Sequence, residues 1–94
     1  MKDSTKSDLD AHANQGRGAG HFVTAVLENN LSRAVSYGDE RNLLDLVEIT
    51  KYVFNHLPAD CWGSRERVDK WRAHRGLEGL EKESKDEVET QKQS

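Results

Sequence analysis

Residues 57–71 read Leu-Pro-Ala-Asp-Cys-Trp-Gly-Ser-Arg-Glu-Arg-Val-Asp-Lys-Trp, and they hold the chain's only proline, its only cysteine and both tryptophans. Pro58 disfavours helical geometry at the residue before it and therefore predicts the end of a helix. Ser64 is a favourable N-cap residue, so another helix is expected to begin directly after it. The stretch therefore predicts a helix, a turn and a further helix.

Upstream of this stretch, apolar residues recur at three- and four-residue spacings, which predicts helices over about residues 21–36 and 40–55. Gly38 can adopt the left-handed conformation just past a helix end, and Asp39 can cap the helix that follows. So short a connection predicts that the two helices are antiparallel neighbours. The predicted fold is all-α: an antiparallel helical hairpin plus a third short helix after Ser64.

The two ends of the chain offer little apolar surface to bury. Residues 1–19 are rich in Lys, Asp, Ser, Asn, Gln and Gly, and we expect a disordered arm there. Residues 78–94 are rich in Glu, Lys, Gln and Ser and predict a disordered acidic tail. These boundaries leave a helical domain at residues 20–77.

Charge and size bear on the partners of this domain. Residues 19–76 carry 8 basic and 8 acidic side chains, and residues 77–94 carry 3 basic and 6 acidic ones, so the net charge of −3 comes from the tail. A neutral folded part disfavours binding of nucleic acid by bulk charge attraction. A domain of about 60 residues buries only about 60% of its unfolded surface, and self-association is a usual supplement, so we expect a homo-oligomer.

Several classes of protein are not expected. The sequence has no apolar run of the roughly 18–20 residues that a membrane span needs, and its first residues are too polar for a signal peptide, which predicts a cytoplasmic protein without membrane contact. Cys61 and His56 are too few for a zinc site, which needs three or four protein ligands. We therefore expect no metal, no cofactor, no catalytic residue and no enzymatic activity.

Two clusters are the candidate binding residues. Trp62 stands beside Arg65 and Arg67 at the predicted helix start, and an aromatic face with guanidinium groups suits a base and a phosphate. Core packing is the competing interpretation of the tryptophan. Two asparagines interrupt the apolar stripe of the first predicted helix, where their amides need partners. The candidate site is therefore Asn29, Asn30, Trp62, Ser64, Arg65 and Arg67.

The sequence also resembles a family of small, mostly uncharacterised bacteriophage and prophage proteins. The resemblance covers residues 20–77 and is carried by Gly20-His21-Phe22-Val23-Thr24-Ala25-Val26-Leu27-Glu28-Asn29-Asn30-Leu31, Asn42, Pro58, Cys61-Trp62-Gly63-Ser64 and Val68-Asp69-Lys70-Trp71. The family pattern has an acidic residue where Asn30 stands, and a proline before Gly20 is missing here. The resemblance implies an accessory protein of a phage acting in the host cytoplasm, and it implies no catalytic residue.

These observations lead to one functional hypothesis and two alternatives. The first is a non-enzymatic phage accessory protein, of a kind that includes counter-defence factors, whose oligomer binds a host factor or a nucleotide-like ligand. The second is a protein–protein inhibitor without a small ligand. The third is a small helix-turn-helix regulator whose basic third helix contacts DNA through Arg65, Arg67, Lys70, Arg72 and Arg75.

Overall fold

The computed structural model describes residues 1–82, and all regular secondary structure in this range is helical, which confirms the all-α prediction. A 3-10 turn at Ala59–Cys61 precedes the last complete helix, and residues 76–82 are again helical. The helices are α1 (Asp3–Gln15), α2 (His21–Leu27), α3 (Leu31–Tyr37), α4 (Glu40–Leu44), α5 (Leu46–His56) and α6 (Arg65–Ala73). In this part of the chain, every helix is too short or too polar to cross a lipid bilayer.

The disordered arm predicted at residues 1–19 is wrong, because most of it forms α1. Leu9 and His12 are completely buried, and Thr5 and Ala13 are nearly so. These positions lie on one helical face, although only one of them is a large apolar residue, so the hydrophobic pattern was too weak to predict a packed helix.

Hydrogen bonds from α6 and α5 hold α1 in place. The Trp71 indole Nε1–H donates to the carbonyls of His12 and Ala13, at 2.9 and 3.1 Å, near the end of α1. The hydroxyl of Tyr52 on α5 donates to Asp10 on α1 at 2.5 Å, and this bond is the main cause that raises the pKa of Tyr52 to about 12. Partners distant in sequence therefore order a segment whose own composition favours disorder.

Two glycines allow the ends of α1 and α6 to approach closely. Gly16 and Gly76 have φ angles of 65° and 69°, in the left-handed region that favours glycine. A Cβ atom on Gly76 would lie 2.7 Å from the backbone nitrogen of Gly16, and one on Gly16 would lie 3.0 Å from the Cα atom of Arg75. The two backbones therefore touch where α1 ends.

Several predicted helix boundaries are confirmed, and others are corrected. The Asp39 carboxylate accepts from the Asn42 N–H at 2.8 Å and caps α4, while α5 ends at His56 before Pro58, as predicted. Gly38 does not adopt the left-handed conformation, since its φ is −71°. The predicted helix 40–55 is divided at Asp45 into α4 and α5.

The core is one cluster formed by residues of α1, α2, α3, α5 and α6 and of the segment 57–61. The buried apolar residues are Leu9, Ala13, Phe22, Val23, Ala25, Leu27, Ala34, Ile49, Val53, Leu57, Cys61, Val68 and Trp71.

The predicted tail at 78–94 is helical as far as residue 82, and the remainder of that prediction lies outside the described residues.

Candidate functional site

A small groove of about 170 Å³ lies between α2, α3 and α5, and the residue Trp62 closes one part of it. Apolar side chains dominate its lining, and no charged side chain is among the lining residues. The lining consists of Val26, Asn29, Asn30, Leu31, Ala34, Leu46, Thr50, Val53 and Trp62. Three of the six predicted site residues, Asn29, Asn30 and Trp62, therefore meet at one place.

The two asparagines divide the predicted helix 21–36 into α2 and α3. Asn29 has a φ of 60°, and its N–H donates to the Val26 carbonyl at 3.1 Å, while the Asn30 N–H donates to the Ala25 carbonyl at 2.9 Å. This pair of bonds is the Schellman arrangement that ends a helix with a left-handed residue. The Asn30 side chain then accepts from the Arg33 N–H at 3.1 Å and caps α3. Both asparagines thus have structural roles.

Trp62 is half-buried and is held beside the end of α2. The N–H of the next residue, Gly63, donates to the Leu27 carbonyl at 2.7 Å. The indole ring contacts Phe54 edge to face, with ring centroids 6.0 Å apart. Its Nε1–H is buried and has no hydrogen-bond partner among residues 1–82, which is uncommon for a buried donor.

The remaining predicted site residues lie elsewhere. Ser64 caps α6 by accepting from the Arg67 N–H at 3.1 Å. The Arg67 guanidinium points back to the carbonyls of Ala59 and Trp62, at 3.4 and 3.5 Å, and Arg65 lies 3.9 Å from Asp69 in an exposed ion pair. The cavity that Ser64 and Arg67 help to line is a separate one of about 580 Å³. The six residues therefore do not form one nucleotide site.

Exposed apolar side chains lie on the two helices α3 and α5 that line the groove. Leu31 and Val35 on α3 are 66% and 50% exposed, and Val47 and Phe54 on α5 are 68% and 70% exposed. We call the groove together with these four side chains the apolar face. All four belong to the apolar pattern that predicts the helices, but periodicity identifies apolar positions and does not show how many faces of a helix are covered.

At about 100° per residue, the arc of α5 from Ile49 to Val47 covers about 160° of its circumference. Ile49 and Val53 enter the core, Leu46 and Thr50 line the groove, and Phe54 continues the apolar arc into solvent. An ordinary surface helix carries one apolar stripe of roughly 100°. A wider arc is typical of a helix covered on two sides, and residues 1–82 cover only one side of α5.

The buried titratable groups are arranged for structure rather than for chemistry. Burial raises the pKa of the Cys61 thiol to about 12, so the thiol stays protonated and is a poor nucleophile at neutral pH. The His12 ring donates from Nε2 to the Cys61 carbonyl at 2.8 Å and accepts at Nδ1 from Arg72 at 3.4 Å. This geometry fixes a neutral imidazole, and burial lowers the pKa of His12.

Comparison with protein families, curated proteins and solved structures finds no match to this chain. The grouping with bacteriophage proteins therefore rests on the sequence pattern alone.

Proposed function

We propose that this chain is a non-enzymatic phage accessory protein that acts in the host cytoplasm by binding a host protein through the apolar face. The observation that carries the proposal is an uncharged groove whose lining helices α3 and α5 carry four exposed apolar side chains. Exposed apolar patches with polar surroundings are typical of surfaces that bind another protein.

The size and lining of the groove favour a protein partner over a nucleotide. Sites for drug-sized molecules occupy about 300–1,000 Å³, whereas this groove measures about 170 Å³. It can accept one or two apolar side chains of a partner. A nucleotide would also bring phosphate charge to a site without a basic lining residue, since Arg65 and Arg67 lie outside the groove.

Asn29 and Asn30 give this surface its polar component. Their backbone conformation is fixed by the α2–α3 junction, so the groove is formed before a partner arrives. Preformed polar groups beside apolar anchors orient a partner without an additional ordering cost. The proposed contact therefore consists of apolar side chains from the partner in the groove, with amide hydrogen bonds at its edge.

Selection of a random peptide library on the immobilised protein tests the proposal without knowledge of the host. We expect enriched peptides with aromatic or aliphatic anchors, whose binding is lost in Leu31→Ser and Phe54→Ser. The matched control is Asn55→Ser, which changes an exposed residue on the polar side of α5 and should leave binding unchanged.

A nucleotide panel provides the opposing measurement. Thermal unfolding is followed with and without each nucleotide, because a ligand that binds only the folded state raises the unfolding temperature. The small-ligand hypothesis would replace the proposed function if a nucleotide raised the unfolding temperature and no peptide were selected whose binding depends on the apolar face.

A further inference from the structure

The outer side of α5 has the pattern of a helix that docks into a groove. Val47, Thr50 and Phe54 are spaced i, i+3 and i+7, and all three are exposed. This is the anchor spacing that amphipathic helices present to apolar grooves. The chain therefore carries a helical ligand surface of its own.

The groove that could receive such a helix lies on the same side of the molecule. Thr50 belongs both to the exposed stripe and to the groove lining, and Phe54 contacts the groove residue Trp62. In a two-fold symmetric dimer, the same surface patch of each chain forms the contact. That patch must therefore contain both the projecting side chains and the groove that receives them. In a two-fold symmetric contact through this face, the stripe of each chain faces the groove of the other.

Charge does not oppose contact between identical chains. Counting Lys and Arg against Asp and Glu, residues 1–82 contain 12 basic and 13 acidic side chains, a net charge of −1. No charged side chain lines the groove itself. Proteins near zero net charge associate more readily than strongly charged ones.

The exposed area is also of a suitable size. From their exposed fractions, Leu31, Val35, Val47 and Phe54 together present on the order of 400 Å². A standard interface buries about 800 Å² on each partner, of which somewhat more than half is non-polar. The exposed apolar area of this face is therefore about as large as the non-polar area that one partner buries in a standard interface.

We infer that a second copy of this chain docks on the apolar face, forming a two-fold symmetric dimer in which the α5 stripe of each copy lies against the groove of the other and inserts one or two apolar side chains into it. The inference rests on the proposed function in placing the contact on the same face. It adds regulation of that face, because a host protein must displace the second copy before it binds.

Sedimentation velocity on the full 94-residue chain, from low to high micromolar concentration, tests the inference. We expect the wild type to shift from one chain to two, and Val47→Glu and Phe54→Glu to raise the dissociation constant at least tenfold. Asn55→Glu, on the polar side of α5, is the matched control and should leave the constant unchanged. Circular dichroism confirms that each variant is folded.

The outcomes separate this inference from the proposed function. A wild type of single-chain mass at every concentration overturns the second-copy contact, as does a dimer that Asn55→Glu weakens as much as Phe54→Glu. If the monomeric wild type still bound peptides through the apolar face, the proposed function would remain supported. A dimer weakened by Phe54→Glu, with no peptide selected, supports the inference and removes the proposed function.

Discussion

The two tryptophans, nine residues apart in sequence, lie in opposite kinds of surroundings. Trp71 is only 2% exposed, and its indole N–H donates to two carbonyls at the end of α1. Trp62 is half-buried beside the apolar groove, and its N–H has no partner among residues 1–82. Trp71 is therefore fully packed and hydrogen-bonded within the chain. Around Trp62, residues 1–82 leave apolar side chains exposed and the indole N–H without a hydrogen-bond partner.

This difference indicates that the region around Trp71 stabilises the fold, whereas the region around Trp62 is the surface on which association is expected. Around Trp71, α1, α6 and the 59–61 turn are joined by buried hydrogen bonds and a close backbone contact. Around Trp62, apolar side chains remain in solvent, where each costs free energy until a partner covers it. Substitutions near Trp71 should therefore affect folding, and those near Trp62 should affect association.

The largest effect is expected for Trp71→Ala. Removal of a buried tryptophan costs about 3–5 kcal/mol, and the carbonyls of His12 and Ala13 lose their donor. For a small domain this approaches the whole free energy of unfolding. Urea denaturation followed by circular dichroism should show little or no cooperative transition. Trp62→Ala should lose less than half as much stability, and equal losses would contradict the comparison.

Gly76→Ala should have the next largest effect. The substitution forces a Cβ atom against the backbone of Asn14 and Gly16 at 2.7 Å and places alanine at a φ of 69°. The left-handed conformation alone costs an L-residue about 1–2 kcal/mol, and the clash adds to it. Gly18→Ala is the control, because nothing lies within 4 Å of a Cβ atom there. Thermal unfolding should show a lower midpoint for Gly76→Ala only.

Asn29→Ala tests the junction beside the groove. Asparagine tolerates the left-handed φ of 60° better than alanine does, so Asn29→Ala should cost up to about 1 kcal/mol, whereas Asn29→Gly should be neutral or stabilising. Both variants remove the amide. Peptide binding lost in both variants would show that the amide itself contacts a partner. Binding retained by Asn29→Gly would assign the residue to the helix junction alone.

Acidification should weaken the region around Trp71 through one proton. Burial lowers the pKa of folded His12, whereas the unfolded residue titrates near its ordinary value of 6.5. The unfolded chain therefore binds more protons below that value, and the free energy of unfolding falls as the pH drops below about 6.5. His12→Gln, which keeps a donor and cannot titrate, should flatten the dependence of stability on pH between neutral and mildly acidic pH. An unchanged slope would contradict the assignment.

The smallest effect on stability is expected for Phe54→Ser. Its side chain is 70% exposed, so at low concentration the free energy of unfolding should change by less than about 1 kcal/mol. The same variant should lose peptide binding and self-association. A large loss of stability in the dilute protein would show that the apolar face contributes to folding. It would contradict the proposed difference between the regions around Trp62 and Trp71.

The capping residues made part of this fold predictable. Asp39 and Ser64 cap the helices that follow them, and Pro58 ends the helix before it, because these effects depend only on neighbouring residues. Helix α1 was not predictable from its own residues, since its partners Trp71 and Tyr52 lie far away in sequence.

The candidate site was predictable in part. Asn29, Asn30 and Trp62 line one groove, as a shared role would require, yet the conformation of each asparagine has a structural cause. Ser64, Arg65 and Arg67 did not join them, because Ser64 caps α6 and none of the three lines the groove. The apolar face itself was missed, since the pattern that marks a core position also marks an exposed apolar one.

The bond between Trp71 and His12 joins residues 59 positions apart, which bears on the order of events in folding. Closing a loop of that length costs about 4 kcal/mol in chain entropy beyond a constant. The turns at Asn29 and Asp39 close over only a few residues. Helix α1 should therefore dock late, after α2 to α6 have assembled, and contacts of this high sequence separation should set the folding rate of the chain.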